Sequence, residues 1–378
     1  MKARLTKGLR DLLYKLRTEG TSPGKQTGAV VLGVLIGCSP FYGLHLALCL
    51  LFARLLRLNP GLTYLAAHVS LPGLWPFLVL AELETGRRLR GQSYLKIHVA
   101  DIRQIGLGQV GVDLLLGSAV IGAVLAIVLG LLTYWAARRR QLHPDIAALR
   151  EEAARRYLDT GMFQWEFVRG KLRHDPLYFN LLRRGSLPSD GLLLDLGCGR
   201  GIVFSLLLAA WEVEVRGLYP GGWEPPPRNL TFHGIEGRPK TAATAREALG
   251  DNAEIETADL RTAALPAAKA ILLLDVLHYL PAADQEALLA KVAAALVPGG
   301  VVLIREADAA AGWRFTATRL QERLAAVLRG HWRQRFHYRS AGEWRELLAE
   351  QGLTVGMQPM GMGTPYANVL LTGQRPVA

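Results

Sequence analysis

The segment GLLLDLGCGRGIVFSLLLAA, residues 191–210, constrains this chain more than any other. A short apolar run, Leu192 to Leu194, reads as a buried strand that ends at Asp195. Gly197-Cys198-Gly199-Arg200-Gly201 then turns into an apolar helix. Strand, glycine turn and helix together are the arrangement in which bare backbone comes close to a ligand. Two details separate it from a dinucleotide fingerprint. The acid stands immediately before the loop, and the helix opens straight after Gly201 without the GxGxxG spacing.

The residues that follow extend the same reading. An acid that closes a second strand is expected about 20 residues on, where it would meet ribose hydroxyls. VEVRGLYP offers Tyr219 there instead. A proline- and glycine-rich stretch, YPGGWEPPPRN (219–229), reads as an insertion, after which Leu230, Phe232 and Ile235 mark a strand ending at Glu236. RPKTAATAREALGD reads as a helix and AEIETADL as a third strand ending at Asp259. AILLLDVLHYLP (270–281) is a fourth strand running into Asp275 and then His278. A helix, the turn Pro298-Gly299-Gly300 and a fifth strand follow, and Arg305 and Glu306 leave that strand at the same sheet edge. The tail from Phe336 reads as a helix and two antiparallel strands.

As a set, D-L-G-C-G-R-G, the two later acids, LLLDVLHYL and PGG resemble the class I S-adenosylmethionine-dependent methyltransferases. The resemblance implies an α/β, Rossmann-like domain with a doubly wound, mostly parallel seven-stranded sheet. It implies S-adenosyl-L-methionine as cofactor, held by Asp195, Gly197, Gly199 and Gly201. Glu236 would take the ribose, Asp259 and Leu260 would lie near the adenine, and Asp275 would complete the cofactor site. Methyl transfer is an in-line displacement, so positioning dominates. A hydroxyl acceptor still needs a base, and His278 is the candidate because histidine titrates near neutral pH. Lys171 and His174, in FVRGKLRHDPLYFNLLRRG (167–185), and Arg305 and Glu306 are candidate substrate contacts. Three cysteines without a CxxC pair exclude a disulfide scaffold and suggest no metal site.

The N-terminal third is of another kind. Residues 1–140 hold 17 basic and 6 acidic residues, against 27 and 26 in residues 141–378. The basic part is also the apolar part, which favours anionic lipid over nucleic acid as a partner. Residues 1–25 read as a basic amphipathic helix lying in the membrane interface. Three apolar stretches follow, at 28–56, 61–81 and 106–135, each long enough to cross a bilayer. The first is broken at Ser39-Pro40, which allows a hairpin that does not cross. Gly33 and Gly37 permit close helix approach, and His45, Asn59 and His68 are polar groups in apolar surroundings. SPFYGLHLALCLLFARLLRLNP followed by TYLAAHVSLPGLWP is similar to the small bacterial membrane domains of the DUF2062 family, over roughly residues 20–135.

These readings give a helical membrane domain over 1–137, a linker helix over 138–160 and a methyltransferase domain over 161–378. The expected protein sits in the bacterial inner membrane, with its catalytic domain facing the cytoplasm. Its acceptor would be a hydrophobic or acyl-linked small molecule that is O-methylated. GKLRHDP, the insertion and GTPYANVLL are similar to enzymes of polyene and polyketide-like pathways. The alternatives are a lipid or quinone methyltransferase, and a non-catalytic membrane scaffold. The partners are the acceptor and the bilayer, without nucleic acid; the oligomeric state stays open.

Overall fold

The computed structural model describes residues 22–41, 43–70, 73, 75–93, 107–139, 144–328, 330–361 and 364–377. Most of the amphipathic helix expected at 1–25 lies outside the described residues, as do the basic residues Lys96 and Arg103. The chain divides into two compact units, Met1–Leu142 and His143–Ala378.

The first unit is helical: α1 (Pro23–Cys38), α2 (His45–Leu55), α3 (Pro60–Ala67), α4 (Trp75–Leu89) and α5 (Leu107–Arg139). Caps set two of the starts. The Ser22 hydroxyl accepts from Lys25 N–H ahead of Pro23, and Asn59 Oδ1 accepts from Leu62 N–H at 3.0 Å ahead of Pro60. The break at Ser39-Pro40 splits the first apolar run into α1 and α2, about 24 and 16 Å long. Neither matches a hydrocarbon core of about 30 Å. Among the described residues, α5 supplies the one stretch long and apolar enough to span, Gln109–Arg138. Its outward residues Val124, Ile127, Leu131, Leu132 and Trp135 are exposed, while Ala126 is buried.

Glycines let these helices touch through their backbones. A Cβ on Gly33 would lie 2.2 Å from the Thr63 carbonyl oxygen, and one on Gly37 would lie 2.2 Å from that of Ala67. The Gly33/Gly37 spacing therefore serves the α1–α3 crossing. The polar groups bond locally to backbone: His45 Nε2 lies 3.1 Å from the Ser39 carbonyl oxygen and His68 Nδ1 lies 2.8 Å from that of Tyr64.

The second unit begins with α6 (Pro144–Arg155), α7 (Met162–His174) and α8 (Pro176–Arg183). The segment read as a linker is divided. Residues 138 and 139 finish α5, whereas α6 packs on the helix after the glycine turn, α9 (Ile202–Val215). Leu149, Ala153 and Ala154 are fully buried there, and Ser205 Oγ donates to the Ala153 carbonyl at 2.7 Å. Covered on one side by the sheet and on the other by α6, α9 is buried continuously from Ile202 to Ala210. That position explains its apolar character all round.

The strands are β1 (Asp190–Leu196), β2 (Asn229–Ile235), β3 (Glu254–Glu256), β4 (Ala268–Leu274), β5 (Leu296–Ala307), β6 (Thr354–Pro359) and β7 (Asn368–Gln374). They form one seven-stranded sheet in the order β3-β2-β1-β4-β5-β7-β6. β1 to β5 run parallel, and β7 and β6 are antiparallel additions at one edge. The helices α10 (Pro239–Leu249), α11 (Ala282–Ala295), α12 (Trp313–Leu328) and α13 (Ala341–Glu350) complete the unit. This is the doubly wound, Rossmann-like fold expected. The strand order reverses between β1 and β4, and ligands bind outside the carboxyl ends of strands at such a switch point. Residues 219–229 form the expected insertion between α9 and β2. Trp211 Nε1 donates to the Pro227 carbonyl, and Trp223 packs against Tyr219 and Phe179.

Candidate active site

β1 delivers Asp195 and the glycine loop to the switch point. Gly197, Gly199 and Gly201 all have positive φ, at 77°, 59° and 72°. Two of them are also hemmed in. A Cβ on Gly197 would lie 2.5 Å from Val276 Cγ2, and one on Gly201 would lie 2.5 Å from Leu249 Cδ1. Gly199 differs, because a Cβ there would meet nothing within 4 Å. Its bare backbone borders open space, as a ligand-cradling turn requires.

The loop is held on both sides. Gly197 N–H and Cys198 N–H both donate to the Ile235 carbonyl, at 2.7 and 3.2 Å. Arg200 is clamped from α7: its Nε donates to Gln164 Oε1 at 2.5 Å and its guanidinium lies 3.9 Å over the Phe167 ring. Its carbonyl accepts from Tyr157 Oη–H at 2.8 Å. Tyr157, Gln164 and Phe167 were not legible as site residues, because only the packing of α6 and α7 brings them to the loop.

Two acids end neighbouring strands. Asp195 is buried, and burial followed by the nearby Glu236 pushes its carboxyl up to about 7. Glu236 is buried as well, but Arg238 donates to its Oε1 from both backbone N–H and Nε at 2.9 Å. No side chain among the described residues donates to Asp195. A buried acid beside a second acid, at the foot of a bare glycine turn, suits a ligand carrying an amino group. Asp259 lies apart: it is exposed and clasped by Arg261 at 2.6 Å. Leu260 is buried in the core with Leu196 and Ile235.

Three predicted residues are engaged with one another. Arg305, fully buried on β5, donates to Asp275 and to Asp175 Oδ1, the latter at 2.6 Å. Lys171 Nζ lies 2.9 Å from Asp175 Oδ2 and 3.9 Å from Asp275 Oδ2. Burial alone would raise the Asp175 carboxyl, but Arg305 and Lys171 hold it well below the usual carboxylate range. Asp175 also caps α8 through Leu177 N–H at 3.1 Å. The network ties α7 and α8 to the ends of β4 and β5. His174 stands outside it, exposed at the end of α7. Asp275 has φ 59°, a left-handed conformation that costs a non-glycine residue energy and recurs at functional sites.

His278 and Glu306 form the other centre. Glu306 Oε1 accepts from Val276 N–H and Leu277 N–H at 3.0 and 2.7 Å, and its Oε2 lies 2.7 Å from His278 Nδ1. With Nδ1–H on the carboxylate, Nε2 keeps its lone pair. That nitrogen is buried and has no hydrogen-bond partner among the described residues. Burial pushes the imidazole down, but Glu306 more than offsets this and the net displacement is upward. Tyr279, Phe336 and Tyr338 surround the ring at centroid distances of 4.3, 5.8 and 5.5 Å. A basic, aromatic groove of about 710 Å³ adjoins them, lined in part by Tyr279, Trp332, Arg333, Arg335 and His337. Trp332 is thus beside the site, whereas Arg314 is spent on the Gly361 and Thr364 carbonyls.

The family model described as an uncharacterized protein conserved in bacteria (DUF2062) matches residues 6–144. No curated protein matches the chain. Among solved structures, an O-methyltransferase family protein from Burkholderia thailandensis is 18% identical, with a TM-score of 0.41 over 60% of this chain and 64% of that one. The chain thus spans just under two thirds of that protein. The magnesium protoporphyrin IX methyltransferase from Synechocystis PCC 6803, solved with bound SAH, is also 18% identical, with a TM-score of 0.38 over 57% of this chain and 88% of that one. A possible histamine N-methyltransferase from Thermotoga maritima is 16% identical, with a TM-score of 0.38 over 56% and 95%. The methyltransferase domain model matches residues 165–356, more than half of the chain and all of β1 to β5, and the chain belongs to that family.

Proposed function

We propose that this chain is a membrane-attached, S-adenosyl-L-methionine-dependent methyltransferase that O-methylates a hydrophobic or acyl-linked small molecule. The observation that carries the reading is the bare turn at Gly199 beside the buried Asp195, to which no side chain among the described residues donates. When bound, the cofactor supplies a methyl group on a positively charged sulfur. The residues of the chain hold and orient. Gly197, Gly199 and Gly201 keep the backbone close, Asp195 takes the amino group, and Glu236 offers its carboxylate to the ribose. Leu260 and Asp259 flank the adenine side. Asp275, fixed by Arg305 and Lys171, shapes the floor between β4 and β5. His278 Nε2 accepts the acceptor's hydroxyl proton, and Glu306 fixes the imidazole and stabilises its charge.

The apolar exterior of α5 supports attachment to a bilayer, where an anchored enzyme meets an apolar acceptor at raised local concentration. Supply of the cofactor argues for a cytoplasmic catalytic unit on the bacterial inner membrane. The test is methyl transfer by the purified full-length protein, using methyl-labelled S-adenosylmethionine and lipid extracts of bacteria that lack the protein. Label in an apolar, hydroxyl-derived small molecule supports the reading, and loss of that label in His278→Asn supports the assigned base. Label in quinone or phosphoglyceride fractions favours a lipid methyltransferase. Binding of cofactor without transfer to any fraction favours a scaffold.

A further inference from the structure

The first unit buries two acids at one helix crossing. Glu82 on α4 is 1% exposed and Asp113 on α5 is fully buried. A Cβ on Gly86 would fall 1.7 Å from the Asp113 carbonyl oxygen, and one on Gly117 would fall 1.6 Å from that of Glu82. No other glycine among the described residues is approached so closely. The two helices are therefore antiparallel and in backbone contact. Each acid faces the glycine of the other helix, one turn from its own: E-x-x-x-G against D-x-x-x-G.

The acids differ in what compensates them. Arg90 Nη1 lies 3.0 Å from Asp113 Oδ1. Glu82 has no such cation among the described residues, and its Oε1 is buried without a hydrogen-bond partner. The titratable and charged groups around it give no help. On α1 it is the Cys38 thiol that lies within electrostatic reach. On α5 there is Asp113, whose Oδ1 is taken by Arg90 while its Oδ2 is buried without a hydrogen-bond partner among the described residues, and on α4 Glu84 sits 3.6 Å from Arg88. An isolated charge removed from water is expensive, and an acid in apolar surroundings avoids the expense by binding a proton.

We propose that Glu82 is a proton-binding site and that the N-terminal unit binds and releases a proton there. The unit would then do more than anchor the enzyme. One O–H bond forms on the carboxyl when the proton arrives and breaks when it leaves; no electrons change hands. The proposal rests on the reading of this unit as lipid-embedded.

The test uses the full-length protein in phosphatidylcholine–phosphatidylglycerol vesicles treated with dicyclohexylcarbodiimide. This apolar reagent couples to protonated carboxyls. Peptide mass spectrometry should find the adduct on Glu82, with Glu84 as internal comparison. Above the midpoint of the site the label should fall about tenfold per pH unit. A water-soluble carbodiimide should leave Glu82 unmodified, and Glu82→Gln, which keeps shape and loses the acid, should lose the label while its thermal transition stays in place. An unlabelled Glu82 at acid pH overturns the proposal, as does labelling that ignores pH or is equal with the soluble reagent. Flotation of the same vesicles reads embedding separately. If the protein floats and Glu82 stays silent, the proton site alone fails; if the protein does not float, the membrane reading fails and takes the proposal with it.

Discussion

At Asp195, burial works against the ligand-free protein. Its carboxyl is raised from 3.8 to about 7 in the fold, so the native state binds the proton more tightly than the unfolded chain does. The corresponding stability is present below the unfolded value and is lost as pH rises through about 7. Asp195→Asn should therefore leave stability near pH 4 almost unchanged and raise it by about 2–4 kcal/mol at pH 8. Urea denaturation at the two pH values reads this directly. Gly197 and Gly199 differ in what an added methyl would meet. Gly197→Ala combines left-handed strain with a clash against Val276 and should cost about 2–4 kcal/mol. Gly199→Ala carries the strain alone, about 1–2 kcal/mol, but puts a methyl into the cradle. Thermal unfolding should rank Gly197→Ala as the less stable variant, while both lose cofactor binding. For His278, whose folded value is raised, the stabilisation by Glu306 is present below about 6.5 and fades as pH climbs through the folded value. Glu306→Gln should accordingly move the acid limb of the turnover profile to lower pH, and its stability deficit should be larger at acid than at alkaline pH.

At the scale of elements, what was legible followed from burial on both faces. β1, β4 and α9 are near-continuous apolar runs; β1 and α9 were placed close to their observed spans, whereas the fourth strand, read to residue 281, ends at Leu274 ahead of a tight turn at Leu277–Tyr279. Phe204 shows the energy involved: it is fully buried on α9 and stacks on Phe232 at 5.0 Å. Phe204→Ala should cost about 3–5 kcal/mol, measured by denaturant titration of the second unit's transition. α6 was read as a linker because Asp145, Arg150, Glu151, Glu152 and Arg155 mark its composition. Its buried stripe is narrow and partly alanine, which a charge count hides. β3 is short for a similar reason, since only Ile255 of its three residues is buried. The partners of the acids were not legible either. Arg238 on Glu236 is a local contact, but Arg305 on Asp175 and Tyr157 on the loop join residues far apart in the chain. No spacing rule reaches that distance; only the folded sheet edge brings them together.

At the scale of the molecule, composition had already divided the chain, with its basic and apolar excess in the first third. The structure divides it at nearly the same place, between Leu142 and His143. If α5 spans a bilayer, the full-length protein should float with liposomes and resist both high salt and alkaline carbonate; release by salt alone would reduce the attachment to surface charge. The claim on which everything else depends is that the glycine turn and Asp195 together form a cofactor site. Calorimetric titration of the full-length protein in detergent with S-adenosylhomocysteine, beside Asp195→Asn, tests it most directly. The expected result is saturable one-to-one binding by the wild type that the folded variant loses. A folded wild-type protein that takes up no ligand, or a variant that binds equally well, would contradict it.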